Sequence, residues 1–192
     1  MRSFRYLLPA VGFAFLIASL DAEPFLMGTR TVEIPESGEV TNTVLRTATH
    51  EFTFLPPSQW KSVINDKAGV ITWTSSDYRS SLKLVITVNT NSSGQPTQNR
   101  PEELKHVVLQ ELPAARITEQ FPCYTANGTA VGFDLASLVD DKHSTAIRVA
   151  FVPFHGGQAY INLTTATEDF TDRQVDLSRF LNSFRIDQIK SQ

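Results

Sequence analysis

The apolar positions of this chain follow three rhythms, and each predicts a different element. Residues 7–20 are almost continuously apolar, broken only by Pro9, Gly12 and Ser19. Residues 82–89 alternate: Leu82, Leu84, Ile86 and Val88 point one way, Lys83, Val85 and Thr87 the other, the mark of a half-buried strand. Two segments repeat at intervals of three and four. Leu104, Val107, Val108 and Leu112 form one such set, and Leu177, Phe180, Leu181 and Phe184 the other. Each predicts a helix with one buried face.

Weaker signals fill the intervals. Phe52 and Phe54 flank Thr53 and predict a strand stopped by Pro56 and Pro57, with a turn or short helix over 58–66 around Trp60. Residues 69–75 are β-branched and aromatic, hence a strand. A polar loop over 89–99 leads to Pro101, whose missing N–H suits a first helical turn; Glu102 and Glu103 complement the helix N-terminus, and Pro113 ends the pattern. Strands over 116–126 and 130–139 are joined by Asn127 and Gly128, a hairpin turn pair. A charged turn over 140–143, a strand over 146–154, a turn at Gly156 and Gly157 and a strand over 158–167 follow. Thr171 with Gln174 has the spacing of a capping box opening the last helix. Strands, a helix, four strands and a helix, with short hairpin links, predict an α+β domain built on a largely antiparallel sheet.

The ends set the organisation. Arg2 and Arg5 precede the apolar run, and its fourteen residues are too few for a membrane span of about twenty. Residues 1–22 therefore read as a signal peptide ending at Ala22, or at Ser19, with retention as an N-terminal anchor as the alternative. Residues 23–47 read as a polar lead-in punctuated by Pro24, Gly28, Pro35 and Gly38, with a short strand at most over 29–34. A single domain occupies 48–188. The chain has 192 residues, which fits one domain. Its net charge of −3 offers no basic excess for a phosphate backbone, so nucleic acid is excluded as a partner. A single cysteine, Cys123, excludes an internal disulfide and a Cys-rich zinc site, and no cysteine follows the apolar run to serve as a lipoprotein anchor. An exported chain with one thiol fits a bacterial periplasm or exterior. Of three sequons, Asn91, Asn127 and Asn162, the last falls inside a strand pattern.

Two stretches resemble a known group. The opening Phe52, Phe54, Pro56, Pro57 and Trp60, and the ending with Gly156, Tyr160, Phe180, Ser183, Phe184 and Arg185, are similar to the PsbP/Mog1 superfamily over roughly residues 49–187. The resemblance implies an α-β-α sandwich around an antiparallel sheet. It also implies a binding or accessory role without shared catalytic residues: members assist photosystem II, bind the GTPase Ran or serve the bacterial envelope.

The chemistry-bearing residues agree with a non-catalytic role. His50, His106, His143 and His155 show no metal-binding spacing. Cys123 has neither helix N-terminus nor cation beside it in sequence and reads as a buried thiol. No Gly-x-Ser-x-Gly elbow is present, and the adjacent pairs Glu102–Glu103 and Asp140–Asp141 point apart. Trp60 and Trp73 read as core. Tyr78 and Arg79, in a serine-rich link between strands, are candidate contact anchors, and His155 in its Gly-Gly turn is the third binding candidate. No cofactor and no catalytic or metal residue is assigned. The sequence thus points to an exported accessory protein that binds a protein or an envelope component. One alternative is a carrier of a lipid or other apolar ligand, which the thirteen phenylalanines would suit. The other is a secreted hydrolase using His155 or His143 with a remote carboxylate.

Overall fold

Alternation along the strands builds the centre of the molecule. The computed structural model describes residues 25–34, 38–88, 100–140 and 143–189. Strands β4 (Lys61–Asn65), β5 (Val70–Thr74), β6 (Ser80–Val88), β7 (Ala115–Thr125), β8 (Gly128–Asp140), β9 (His143–Phe154) and β10 (Gly157–Ala166) form one antiparallel sheet in the order β4-β5-β6-β10-β9-β8-β7. The register carries Ile71, Leu84, Ile161, Ala150 and Gly132 across it in one row. The next row, Val70, Val85, Tyr160, Phe151 and Val131, emerges on the opposite face. A second antiparallel sheet joins β1 (Leu26–Ile34), β2 (Gly38–Arg46), β3 (His50–Phe54) and β11 (Arg185–Gln188) in the order β1-β2-β3-β11.

Each face of the large sheet has its own apolar cluster. Helix α2 (Phe170–Ser183) sets Leu177, Phe180 and Leu181 against Trp73, Leu82, Leu84, Ile161 and Leu163, together with Leu45, Phe52 and Phe54 of the small sheet. Rings fill this layer, with Phe54 5.0 Å from Phe180 and 5.7 Å from Trp73 between centroids, and Phe52 5.2 Å from Phe154. On the other face, α1 (Pro101–Glu111) sets Leu104 and Val108 against Phe133, Leu135, Ile147, Val149 and Phe151. Helix α1 starts as the sequence predicts: Pro101 opens it, and the Glu103 carboxylate accepts the Arg100 backbone N–H at 3.3 Å.

Several expectations are corrected. The described part of 23–47 is more than a lead-in: it forms β1 and β2, and Val44 and Leu45 are buried in the core. The turn expected around Trp60 is confined to residues 58–59; beyond it the chain forms β4, closed onto β5 by a 3-10 turn over Asp66–Ala68. Asn65 caps that turn, and left-handed Gly69 ends it. Trp60 itself is half-buried at the margin of the core, while Trp73 lies within it. Val107 is exposed, since α1 turns only Leu104 and Val108 fully inward. The capping box at Thr171 does not form. A 3-10 turn over Thr167–Asp169 runs straight into α2, which begins at Phe170, and the Gln174 amide oxygen accepts from Arg148 instead. Helix α2 ends at Ser183, and Arg185 opens β11. The charged turn before β9 is shorter than expected, with β8 ending at Asp140 and β9 starting at His143. The expected loop over 89–99, the Asn91 sequon and the 1–22 segment lie outside the described residues.

Candidate functional site

The turn between β5 and β6 is built by short hydrogen bonds. Buried Ser75 donates its hydroxyl to Asp77 Oδ1 at 2.5 Å and accepts the Ser80 N–H at 3.0 Å. The Arg79 N–H reaches Asp77 Oδ1 at 3.0 Å, and the Tyr78 N–H reaches the Ser75 carbonyl at 3.0 Å. The Ser75 hydroxyl first, and then the Arg79 N–H, hold the Asp77 carboxyl below the usual carboxylate range, with Arg173 adding to the effect. These bonds fix Tyr78 at φ +61°, a left-handed conformation that a bulky residue adopts only under constraint. Its ring is 59% exposed.

Three further segments converge on this turn. Lys61, at the start of β4, donates to the Tyr78 hydroxyl at 3.2 Å. Arg79 reaches the Glu168 carboxylate and, from Nε, Asp169 Oδ2 at 3.2 Å. Arg173 on α2 reaches Asp77 Oδ2 at 3.2 Å, and its guanidinium lies 5.6 Å from the Trp60 ring centroid. Gln59, just before Trp60, has φ +65°. Among the described residues, Gln59 and Tyr78 are the two non-glycine residues with positive φ, and both belong to this one cluster. Arg173 Nε is buried in it without a hydrogen-bond partner, and Asp169 Oδ2 is held only by its ion pair with Arg79. The cluster is therefore strained, charge-laced and incompletely satisfied, with an aromatic ring displayed at its surface. It has the makings of a contact surface.

The sequence-predicted residues separate here. Tyr78 and Arg79 come together, as neighbours with opposite contacts. His155 does not join them. The turn Phe154–Gly157 opens β10 at Gly157, whereas Tyr78 sits beside the Ser80–Thr165 pair near the other end of that strand, about 26 Å away along eight residues. His155 is exposed and neighbours buried His50, whose imidazole is pushed down by burial first and then by His155. Gly156 supplies the positive φ of the turn, +80°. Gly157 serves a different need: a Cβ there would lie 2.2 Å from the Thr87 carbonyl oxygen. His143 and His155 stand at opposite ends of β9, roughly 35–40 Å apart along the strand, so they cannot share one site.

The remaining candidates fall into structural roles. Cys123 is buried, and burial pushes its thiol up to about 11 despite nearby Arg148. Sequence reasoning missed the Arg148–Asp134 pair, because the two residues are separated by a hairpin and meet only through the β8–β9 register. Arg148 makes two parallel 2.6 Å bonds to the Asp134 carboxylate, and its guanidinium lies 4.5 Å and 5.1 Å from the Phe121 and Phe170 ring centroids. It also missed Lys83, Glu111 and Tyr160, gathered where α1 ends on the sheet. Burial pushes the Lys83 amine down, the Glu111 carboxyl up and the Tyr160 phenol up, and Tyr160 accepts from Asn162 at 3.1 Å. The Asn127 amide pairs with the Ile186 backbone on both sides, at 2.6 and 2.8 Å.

No family model and no curated protein matches this chain. Solved structures do. The chain is similar to cyanobacterial PsbP of Synechocystis sp. PCC 6803, at 14% identity and TM-score 0.49, over 88% of this chain and 95% of that one. It is similar to LpqN of Mycobacterium tuberculosis, involved in cell envelope biogenesis, at 11% identity and TM-score 0.47, over 83% and 91%. It is similar to the Ran-binding protein Mog1p of Saccharomyces cerevisiae, at 13% identity and TM-score 0.44, over 83% and 96%. It spans 46% of a longer Bacteroides thetaiotaomicron protein. The resemblance to PsbP and Mog1 noted in the sequence thus recurs in the path of the chain. At these identities and scores it says nothing of activity or partner.

Proposed function

We propose that this chain is an exported accessory protein that binds another protein through the surface formed by Trp60, Lys61, Tyr78 and Arg79, and that it carries out no reaction of its own. One observation carries the reading: both left-handed non-glycine residues of the described chain, Gln59 and Tyr78, lie in that cluster, and Tyr78 presents an exposed aromatic ring. Strain held in place by surrounding bonds is a cost that folding alone does not require. An aromatic anchor ringed by paired charges suits a protein surface better than a small ligand. The layering, α1 on one face of the large sheet and α2 on the other, we read as the α-β-α sandwich of the PsbP/Mog1 superfamily.

Export rests on residues 1–22 as signal peptide. Among the described residues no helix is long and apolar enough to cross a membrane. The carrier alternative would need room between the large sheet and α2, where the rings of Phe54, Trp73, Phe180 and Phe184 pack against one another; this favours the accessory role. The hydrolase alternative gains nothing from His155, which stands apart from the cluster.

Native mass spectrometry of the protein recovered from its own exported compartment tests the reading. A second polypeptide of defined mass is expected with the wild-type chain and is expected to disappear with Tyr78→Gly. A bound mass of lipid size, retained in that variant, would contradict it and favour the carrier.

A further inference from the structure

The tip of the β7–β8 hairpin is tied to the last strand by one side chain. Asn127 Oδ1 accepts the Ile186 N–H at 2.6 Å, and Asn127 Nδ2 donates to the Ile186 carbonyl at 2.8 Å. The carboxamide thus stands in for a peptide group and completes the outer edge of β11, whose other edge pairs with β3. Beside it the Ala126 N–H reaches the Phe184 carbonyl at 3.2 Å. Asn127 is nevertheless exposed to water, as is Gly128 after it. A Cβ on Gly128 would meet nothing within 4 Å, so this glycine is not crowded by the fold. The pair is the single Asn-Gly step of the chain. Such a step is chemically labile, because no side chain shields the glycine nitrogen from the carboxamide before it.

We propose that Asn127 is a site of hydrolytic modification, gated by the latch that it forms on β11. The Gly128 backbone nitrogen attacks Asn127 Cγ. A new N–Cγ bond closes a five-membered imide, the nitrogen loses its proton, and Nδ2 leaves as ammonia. Water then opens the ring at either carbonyl, giving aspartate or, where the main chain now runs through the side chain, isoaspartate. One water is taken up and one ammonia released, with no oxidant or reductant. Attack requires Cγ to turn toward Gly128, and the two bonds to Ile186 hold it on β11 instead. The reaction therefore proceeds from the locally opened hairpin tip. Its product does not close the latch again. A carboxylate still accepts the Ile186 N–H, but it has no donor for the Ile186 carbonyl and sets an oxygen against it. Isoaspartate also adds a methylene to the backbone and displaces the tip. Hydrolysis at one exposed residue thus frees the outer edge of β11, the strand that follows α2 and packs Ile186 against the core.

Peptide mass spectrometry of the full-length chain, incubated in mildly alkaline buffer both folded and in urea, tests it. Aspartate and isoaspartate at position 127 are expected to accumulate at least about tenfold more slowly in the folded chain, because two hydrogen bonds must open first. Ile186→Pro removes the N–H on the edge that faces away from β3. It is expected to raise the folded rate toward the unfolded one, with unchanged circular dichroism. Asn127→Asp reports the other half of the proposal. Hydrogen exchange at the Ile186 N–H is expected to quicken by at least about tenfold in this variant, while exchange at Ile161 in β10 stays as in the wild type. An Asn127 that remains intact in urea would overturn the site. Equal rates in the folded and unfolded chain, or a folded rate that Ile186→Pro leaves unchanged, would overturn the gate. An Ile186 amide as well protected in Asn127→Asp as in the wild type would overturn the unlatching.

Discussion

The two edges of the large sheet are finished in opposite ways. The β7 edge is long, bulged and backed by packing on both faces. Phe121 and Cys123 lie against the Arg148–Asp134 pair and α2, while Ile117 packs with the α1 cluster. The β4 edge is short, exposed on both faces, and adjoins the strained Tyr78 turn. One side of the molecule is finished for stability, while the other keeps bare strand, strain and an unsatisfied polar atom. Backbone strain and a buried unpartnered polar atom are costs to folding, so the β4 and Tyr78 side is where binding is to be sought.

The comparison can be broken most forcefully at the β7 side. Asp134→Ala would leave Arg148 half-buried and without its carboxylate, and is expected to cost about 3 kcal/mol in urea unfolding. A loss below 1 kcal/mol would mean that the pair is not a structural anchor. Gly132→Ala would place a Cβ 2.5 Å from Cys123 Sγ and 2.6 Å from the Phe121 ring, and is expected to cost about 1–3 kcal/mol by the same measurement. The Tyr78 side should respond differently. Tyr78→Gly relieves the left-handed strain but frees the unfolded chain, and these effects offset to within about 1 kcal/mol. Partner binding is nonetheless expected to be lost. A large fall in stability with binding retained would reverse the assignment.

A smaller effect sharpens the contrast at the far end of β10. His50 is buried with Nδ1 2.9 Å from the Thr49 hydroxyl and its ring 4.9 Å from Phe154, and burial with His155 nearby holds its folded pKa below 6.5. The unfolded chain thus binds the proton more readily. The stability due to neutral His50 is whole above pH 6.5 and is lost as pH falls below it toward the folded value. Thermal midpoints measured from pH 7.5 to 5.5 are expected to fall, with a shallower slope in His50→Phe; equal slopes would remove His50 as the cause.

Local pattern made much of the fold legible. The alternation of 82–88, the Pro101 start and the Asn127–Gly128 turn all correspond to observed elements, because each depends on residues close in sequence. Strands β4 and β11 escaped notice. Both are short edge strands, their partners are chosen by tertiary packing, and β4 buries neither face, so no alternation marks it. Tyr78 and Arg79 were legible as a candidate contact because exposed aromatics in polar links stand out. Their partners were not: Arg173 and Glu168 lie about ninety residues away and reach the turn only through the docking of α2. The failed Thr171 capping box has the same origin, since Gln174 is drawn to Arg148 across the sheet.

The most direct measurement is photocrosslinking in the producing cells, with a photoreactive side chain at position 78 and, separately, at position 124. Tyr124 is the matched control, an equally exposed tyrosine (65%) on the β7 edge with ordinary backbone geometry. A discrete adduct to another polypeptide from position 78, and none from position 124, is the predicted result. Equal labelling from both positions, or an adduct from 124 alone, would contradict the account.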